Sequence, residues 1–231
     1  GTVVEPNLLP SGRNNYLACV YILEHSAGLA YADVSTGEFA ATELTDQDVF
    51  VQLRAELKRL SPAEILVSDI ATLPEDINGS LTAIPNWYFE PGRAQELIKD
   101  RFQVSSLEGL GLKHLPLAAR AVGALLKYLQ ETQKGLAQVR FSFSTYSLND
   151  FMVLDAETRR NLELTETLRE NKTEGSLLGV LDRTKTPMGK RMLRAWVNKP
   201  LLDLEQINAR LDAVEFFFRN GVIRQNLEVH L

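Results

Sequence analysis

The sequence predicts an α/β domain followed by a mostly α-helical segment. Three β-favouring runs separated by turn residues stand near the start of the 231-residue chain, and a fourth apolar run follows a helical pattern. After a break at residues 133–144 the alternation of strands and helices stops, and one helix start follows another. Since domains commonly hold roughly 100 to 200 residues, the length also suits two units.

The composition is that of an ordinary globular protein and excludes several classes. Apolar residues make up 45% of the chain and charged residues 24%, which argues against disorder and collagen-like repeats. No apolar run approaches the ~18 residues that span a bilayer, and no secretory signal pattern is visible. The lone Cys19 excludes an intramolecular disulfide, and His25, His114 and His230 lack zinc spacing. We therefore expect a cytoplasmic protein without a membrane span or a structural metal.

The first domain begins with a predicted antiparallel meander. Residues 1–14 are poorly periodic and contain prolines, so we expect an incoming linker there. Three runs that favour strands follow at 15–25, 28–35 and 37–44. Because short connections join antiparallel neighbours, these runs predict a three-stranded meander.

A helix and a fourth strand should complete this sheet. Thr45, with Asp48 three positions later, is an N-cap signal. The apolar face of the helix that follows consists of Val49, Phe50, Leu53, Leu57 and Leu60. Ser61-Pro62 ends this helix, and residues 63–68 hold an apolar run typical of a strand buried on both faces. A crossover from the meander should return this strand to the same sheet.

Two further helices should cover the sheet. Pro91-Gly92 precedes a helical pattern that continues through Phe102, and Pro116 opens a stronger pattern with apolar residues on one side. The break at residues 133–145 is interpreted as a linker between domains.

The rest of the chain, residues 146–231, is predicted to be helical. Residues with N-cap character are Asp155, Ser176, Thr186 and Asp203, and a proline follows Thr186 at the first helical position. The helix after Thr186 carries Met188, Met192 and Trp196 on one side, which we interpret as a core side, and basic residues on roughly the other.

The helix after Asp203 has an apolar stripe that needs a partner. Leu204, Ile207, Leu211, Val214 and Phe218 repeat at three- and four-residue steps. Gly221 is a predicted C-terminal stop, and residues 222–231 are too few to cover the stripe. We therefore expect this chain to end inside a domain.

Basic residues are concentrated between Arg183 and Lys199, a stretch without an acidic residue. Such a local excess of positive charge can bind nucleic-acid phosphates. The candidate residues are Lys185, Lys190, Arg191 and Arg194. A solvated helix face is the alternative interpretation.

Acidic residues stand at the ends of two of the predicted strands. Asp33 and Asp69 stand where metal-dependent nucleases place the carboxylates that hold magnesium ions. However, Asp and Ser initiate turns and Gly tolerates a positive φ, so the segment from Asp33 to Gly37 is typical of a hairpin connection. We expect the turn, with a nuclease as the alternative.

Longer motifs resemble the MutS family of bacterial DNA mismatch-recognition proteins. LDAETRRNLEL (154–164), GSLLGVLDRTKTPMGKRMLRAW (175–196) and PLLDLEQINARLDAV (200–214) resemble the opening of the family's core or lever domain. YADVSTGEF (31–39), PAEILVS (62–68) and LPLAARAVGALLKYLQETQ (115–133) resemble its connector domain. The resemblance covers essentially the whole chain.

The resemblance implies a connector at 15–132 with a ribonuclease-H-like α/β fold, a linker at 133–145, and the N-terminal part of the core or lever domain at 146–231. It also implies a non-catalytic role, in which these elements couple binding of mismatched DNA to an ATPase and the connector offers a docking surface for MutL. In the family, ATP and magnesium bind to a later domain, mismatched DNA requires an earlier one, and the full-length protein is a homodimer. A free-standing ribonuclease-H-like nuclease with a helical appendage is the alternative.

Two functional motifs of the family are not found in this sequence. The family inserts the Phe of a Phe-x-Glu motif beside the mispaired base. Tyr88-Phe89-Glu90 differs from that motif and lies inside the connector, so we interpret it as packing. The ATPase needs a glycine-rich phosphate loop, and Gly189-Lys190 has Thr184 where the first glycine of that loop should stand. We therefore expect neither catalysis nor a cofactor site in this chain.

Overall fold

A computed structural model describes residues 14–45, 48–74, 76–77, 79–132, 139–152, 154 and 156–230. Within these ranges the chain forms two compact units, the first from Asn14 to Ser147 and the second from Leu148 onward. The predicted linker at 1–14 lies almost entirely outside the described residues. None of the helices in the described ranges is long and apolar enough to cross a membrane.

The first unit is built on one six-stranded mixed sheet. Its strands are β1 (Leu17–Leu23), β2 (Ser26–Asp33), β3 (Glu38–Leu44), β4 (Glu64–Val67), β5 (Ser80–Ala83) and β6 (Ser142–Thr145), in the order β5-β4-β1-β2-β3-β6. The first three strands pair antiparallel, which confirms the predicted meander. The buried strand β4 pairs parallel with β1, which confirms the crossover.

The strand β6 corrects the predicted linker at 133–145. Ser142–Thr145 pairs parallel with β3, so the α/β unit continues past residue 132. The single apolar residue of this strand, Phe143, lies 5.6 Å from Phe39 and 5.0 Å from Phe102 between ring centroids. Because the other residues of β6 are Ser and Thr on an edge of the sheet, the segment has no apolar run that would predict a strand.

One face of the sheet is covered by the helix α1 (Val49–Leu60). Val49, Leu53, Leu57 and Leu60 are buried, as the sequence predicts. Phe50 is 40% exposed, which corrects its assignment to this face, because one residue turns a helix by about 100° away from Val49. The predicted cap at Thr45 is also wrong, since the N-cap position is Asp48, without a side-chain hydrogen bond.

The opposite face is covered by α2 (Pro91–Phe102) and α3 (Pro116–Thr132), which confirms both predicted helices. The backbone amides of Leu117 and Ala118 donate hydrogen bonds to Glu43 Oε2 over 2.7 and 3.0 Å. A carboxylate at this position also neutralises the positive end of the helix dipole. The start of α3 is thereby attached to the strand β3.

The second unit contains five α-helices in the described part of the chain. They are α4 (Ala156–Asn161), α5 (Leu177–Leu181), α6 (Pro187–Asn198), α7 (Leu204–Arg219) and α8 (Gly221–His230). Side-chain oxygens of Ser176, Thr186 and Asp203 accept hydrogen bonds from backbone amides at the starts of α5, α6 and α7, which confirms three of the predicted caps. The predicted cap at Asp155 lies outside the described residues.

The helix α7 stops directly before Gly221, with Asn220 as its C-cap, which confirms the predicted stop. The helix α7 ends at Arg219, and Gly221 is the first residue of the next helix. A short amphipathic helix therefore occupies the segment for which no element was predicted. The apolar stripe of α7 nevertheless remains largely uncovered, with Leu204 72% and Phe218 79% exposed.

Candidate functional surfaces

The carboxylate of Asp33 belongs to a turn. Asp33 is fully buried, and its Oδ1 accepts hydrogen bonds from the amide and hydroxyl of Ser35 over 2.9 and 2.6 Å. Its Oδ2 accepts one from the amide of Asn15 over 3.1 Å. Gly37 closes the turn with a φ of +74° and donates its amide to the Asp33 carbonyl. These contacts confirm the interpretation as a hairpin connection.

The sheet topology separates the two carboxylates proposed for a nuclease. The strands β1 and β2 are antiparallel while β1 and β4 are parallel, so the ends of β2 and β4 lie at opposite edges of the sheet. Asp33 ends β2, and Asp69 follows β4, where it caps a short 3₁₀ turn through the amide of Ala71. Among the described residues no group of three or more His, Cys, Asp or Glu side chains could hold a metal ion. The alternative of a nuclease is therefore not supported.

The aromatic residues of Tyr88-Phe89-Glu90 are packing residues. Phe89 is fully buried and stacks on Tyr21 with ring centroids 5.0 Å apart. Tyr88 is buried, and its hydroxyl donates a hydrogen bond to Glu131. Burial and this hydrogen bond raise the pKa of Tyr88 to about 12. A side chain held inside the core is not placed to insert between bases, which agrees with the sequence interpretation.

The basic candidates are divided between α6 and the loop before it. Lys190, Arg191 and Arg194 lie on α6, whereas Lys185 precedes it and lies 3.8 Å from Glu228 of α8. Lys190 Nζ is 3.8 Å from Asp182 Oδ2. Hydrogen bonds from Thr184 and the charge of Lys190 lower the pKa of Asp182, so this carboxylate is ionised at neutral pH. Part of the positive charge is thus already balanced by acidic neighbours.

The orientation of α6 differs from the predicted one. Met188 and Met192, predicted to be core, are 58% and 52% exposed, and Trp196 is only half-buried. Arg191 and Arg194 are half-buried instead, and Arg194 Nη2 donates to Thr173 Oγ1 over 3.4 Å. Helical periodicity separates two faces but does not say which one packs inside the chain.

The first unit carries an exposed aromatic group that sequence reasoning missed. We define the Trp87 surface as Trp87, Arg93 and Lys127, from the 3₁₀ turn Asn86–Phe89, α2 and α3 respectively. Trp87 is 44% exposed, with the Arg93 guanidinium 5.3 Å and the Lys127 ammonium 5.9 Å from its ring centroid. Trp and Arg are enriched among residues that dominate the energy of protein interfaces. The only sequence signal was a Trp in an aperiodic segment after a proline.

Comparisons with known proteins match both units. A family model described as MutS domain II matches residues 15–142, and one described as MutS domain III matches residues 157–231. A protein of Thermosynechococcus vestitus named DNA mismatch repair protein MutS is 46% identical over 100% of this chain and 28% of its own length. Proteins with the same name from Dehalococcoides mccartyi and Roseiflexus sp. are 44% and 39% identical over 98% of this chain, and 26% and 25% of their own lengths. The chain thus spans about a quarter of the length of these relatives.

Proposed function

Because the chain belongs to the MutS family of DNA mismatch repair proteins, we propose that it comprises the connector and the first part of the lever of such a protein. In this proposal the chain is mechanical and not an enzyme. It couples the binding of mismatched DNA by other domains to an ATPase that uses ATP and magnesium in the complete, homodimeric protein. The observation that carries the proposal is that the α/β unit and the helical unit coincide, in order, with the matches to domains II and III.

The topology of the first unit supports a ribonuclease-H-like fold for the connector. An antiparallel meander is followed by a helix and by two strands, β4 and β5, that extend the sheet beyond β1 in parallel. Helices cover both faces, so the interior of the sheet is dry and its cross-strand register is fixed by packing. A unit of this kind suits the transmission of displacements between its neighbours, since packed cores are poorly compressible.

The Trp87 surface supports the proposal that the connector is a docking site for MutL. The ring of Trp87 is solvent-accessible but its position is fixed, because Tyr88 packs next to it with ring centroids 4.4 Å apart. Arg93 and Lys127 are in turn held by Glu90 and Glu131 at 3.1 and 3.0 Å. A rigid aromatic group loses little conformational entropy on binding, which favours it as an interface anchor.

We expect Trp87→Ala to weaken the binding of MutL to this chain by about 30-fold or more, which corresponds to the loss of about 2 kcal/mol that defines a hot-spot residue. Phe50→Ala is the matched control, because Phe50 is also an exposed aromatic residue of the first unit but lies on α1. The measurement is the yield of crosslinks between each variant and the MutL of the same organism. The yield from the complete MutS with ATP serves as the reference. Equal loss in both variants, or none with Trp87→Ala, would place the docking surface elsewhere.

Lys185, Lys190, Arg191 and Arg194 are proposed as weak, sequence-independent contacts to DNA phosphates. We expect this chain to bind homoduplex and mismatched duplex equally, with an affinity that falls steeply with salt.

Lys190→Gln should reduce the slope of log affinity against log salt concentration by about 1, as for the loss of a single phosphate contact. Lys113→Gln is the matched control, since Lys113 is similarly exposed and also ion-paired, to Glu108 at 2.8 Å. Fluorescence anisotropy at several salt concentrations measures the affinity of each variant for both duplexes. A preference for the mismatched duplex would contradict the proposed domain content.

A further inference from the structure

A buried polar network lies on the α1 side of the sheet in the first unit. We define the junction network as Tyr16, Tyr31, Glu38, Glu56, Arg59 and Tyr146. Two of these residues come from α1, two from strands, and two from the segments that lead into β1 and out of β6. None of the functions proposed above uses this network.

The centre of the network is an ion pair between Glu56 and Arg59. Arg59 Nη2 and Nε donate to the two carboxylate oxygens of Glu56 over 2.7 and 2.8 Å, and both side chains are almost fully buried. Burial opposes the charge of Arg59, but Glu56 holds the pKa of Arg59 above its ordinary value. A buried ion pair adds little net stability relative to apolar packing, so its contribution here is the fixed position of the groups around it.

The outgoing segment is attached to this ion pair. The hydroxyl of Tyr146, directly after β6, donates a hydrogen bond to Glu56 Oε1 over 2.7 Å. Burial and the charge of Glu56 raise the pKa of Tyr146, so the hydroxyl keeps its proton and remains a donor. The backbone amide of Tyr146 donates to the Ala41 carbonyl over 3.1 Å.

The segment that leads into β1 contacts the same network through Asn14 and Tyr16. The hydroxyl of Tyr16, directly before β1, donates to Glu38 Oε2 over 2.9 Å, and Asn14 Nδ2 donates to the same oxygen over 2.9 Å. Tyr31 connects the two halves, because its ring centroid lies 4.9 Å from that of Tyr16 and 6.1 Å from that of Tyr146. Its hydroxyl donates to Glu38 Oε1 over 3.3 Å.

These contacts join the two ends of the unit across the sheet. β1 and β6 are not neighbours, since β2 and β3 lie between them. Tyr16 and Tyr146 are nevertheless separated by a single residue of the network, Tyr31. The loss of one contact in a buried network of this kind weakens the others, because hydrogen bonds in a low-dielectric interior strengthen one another.

We propose that the junction network is a conformational coupling device, in which release of the segment leaving the α/β unit loosens the segment entering it, and the reverse. The coupling is a property of this unit and does not depend on which partner the connector binds. It requires reciprocity, because a free-energy coupling between two sites is the same in both directions.

Amide exchange read at the distant segment tests this proposal in the full 231-residue chain. Tyr146→Phe removes a single hydroxyl, and we expect exchange of the Asn15 amide, which donates to Asp33, to become about 10-fold faster or more. Tyr16→Phe should accelerate exchange of the residue-146 amide by a similar factor. Amides in the centre of β4 exchange through global unfolding and therefore report the overall loss of stability, so coupling is measured as the acceleration at the distant segment beyond that of β4. Two-dimensional NMR resolves the individual positions.

Tyr128→Phe is the matched control. The Tyr128 hydroxyl donates to Glu64 over 2.8 Å from α3, so this variant removes an equivalent hydrogen bond to a carboxylate outside the junction network. It should leave the exchange of the Asn15 and Tyr146 amides unchanged. Acceleration confined to the segment that carries each substitution would overturn the proposal. The same result with Tyr128→Phe as with Tyr146→Phe would also overturn it, since it would indicate general loosening.

Discussion

Gly28→Ala is expected to destabilise the α/β unit by about 3 kcal/mol, near the upper limit for overpacking in a core. A β-carbon at this position would lie 2.1 Å from the carbonyl oxygen of Leu117 and 2.5 Å from the amide nitrogen of Ala118. Both are backbone atoms, so no side chain can rotate away. The clash would move the start of α3 off the sheet and weaken the two hydrogen bonds to Glu43.

Gly92→Ala is the matched control for this prediction. Gly92 lies in the first turn of α2, and an added β-carbon would meet no atom within 4 Å. Because alanine favours helix over glycine, this variant should equal or slightly exceed the wild type in stability. Urea unfolding followed by circular dichroism measures both. A Gly28→Ala variant within about 0.5 kcal/mol of the wild type would show that α3 does not approach β2 as closely as described.

The elements predicted correctly are those determined by residues close together in the sequence. The meander, β4, α2 and α3 each have an apolar pattern with a turn, a proline or a cap at its boundary. The requirement for glycine at position 28 is of another kind, since it depends on a helix that begins at Pro116. Alternation around Gly28 predicts a strand but contains no information about the atoms that approach it.

The junction network was unpredictable for the same reason. Glu56 and Arg59 look like an ordinary helical i, i+3 pair on a solvated face, and Tyr146 directly follows the predicted linker at 133–145, as the first residue of the segment predicted to be helical. Their role depends on β6 joining the sheet, which brings Tyr146 to α1. The strand β6 itself was missed because Ser142–Thr145 depends on pairing with β3 for its order.

In the second unit, periodicity predicted the faces of the helices but not their environment. Met188 and Met192 of α6 resemble a core side, yet the four buried apolar side chains among the described residues of this unit are Leu154, Leu164, Leu178 and Leu201. With so little interior, an amphipathic helix cannot bury its whole apolar face. The apolar stripe of α7, in contrast, is exposed over much of its length, with Leu204 72% and Phe218 79% exposed.

Hydrogen exchange should differ by roughly a thousandfold or more between α7 and the strands β1 and β4 in dilute solution. Cys19 and Leu66 are fully buried in the sheet, so their amides exchange only when the first unit unfolds. A helix of 16 residues is marginal alone in water, and α7 has few packed neighbours to stabilise it. Mass spectrometry of peptides covering residues 15–24, 63–68 and 203–219 measures the difference.

The concentration dependence of this exchange shows whether α7 is stabilised by packing within one chain or by packing against a second copy. If a second copy of the chain covers the apolar stripe, protection of residues 203–219 should rise with concentration and be lost in Phe218→Ser. Phe218 is 79% exposed, so the same substitution should leave the unfolding of the first unit unchanged, which makes that unit an internal control. Uniformly slow exchange at every concentration would contradict the expectation, because the second unit would then stabilise α7 by itself.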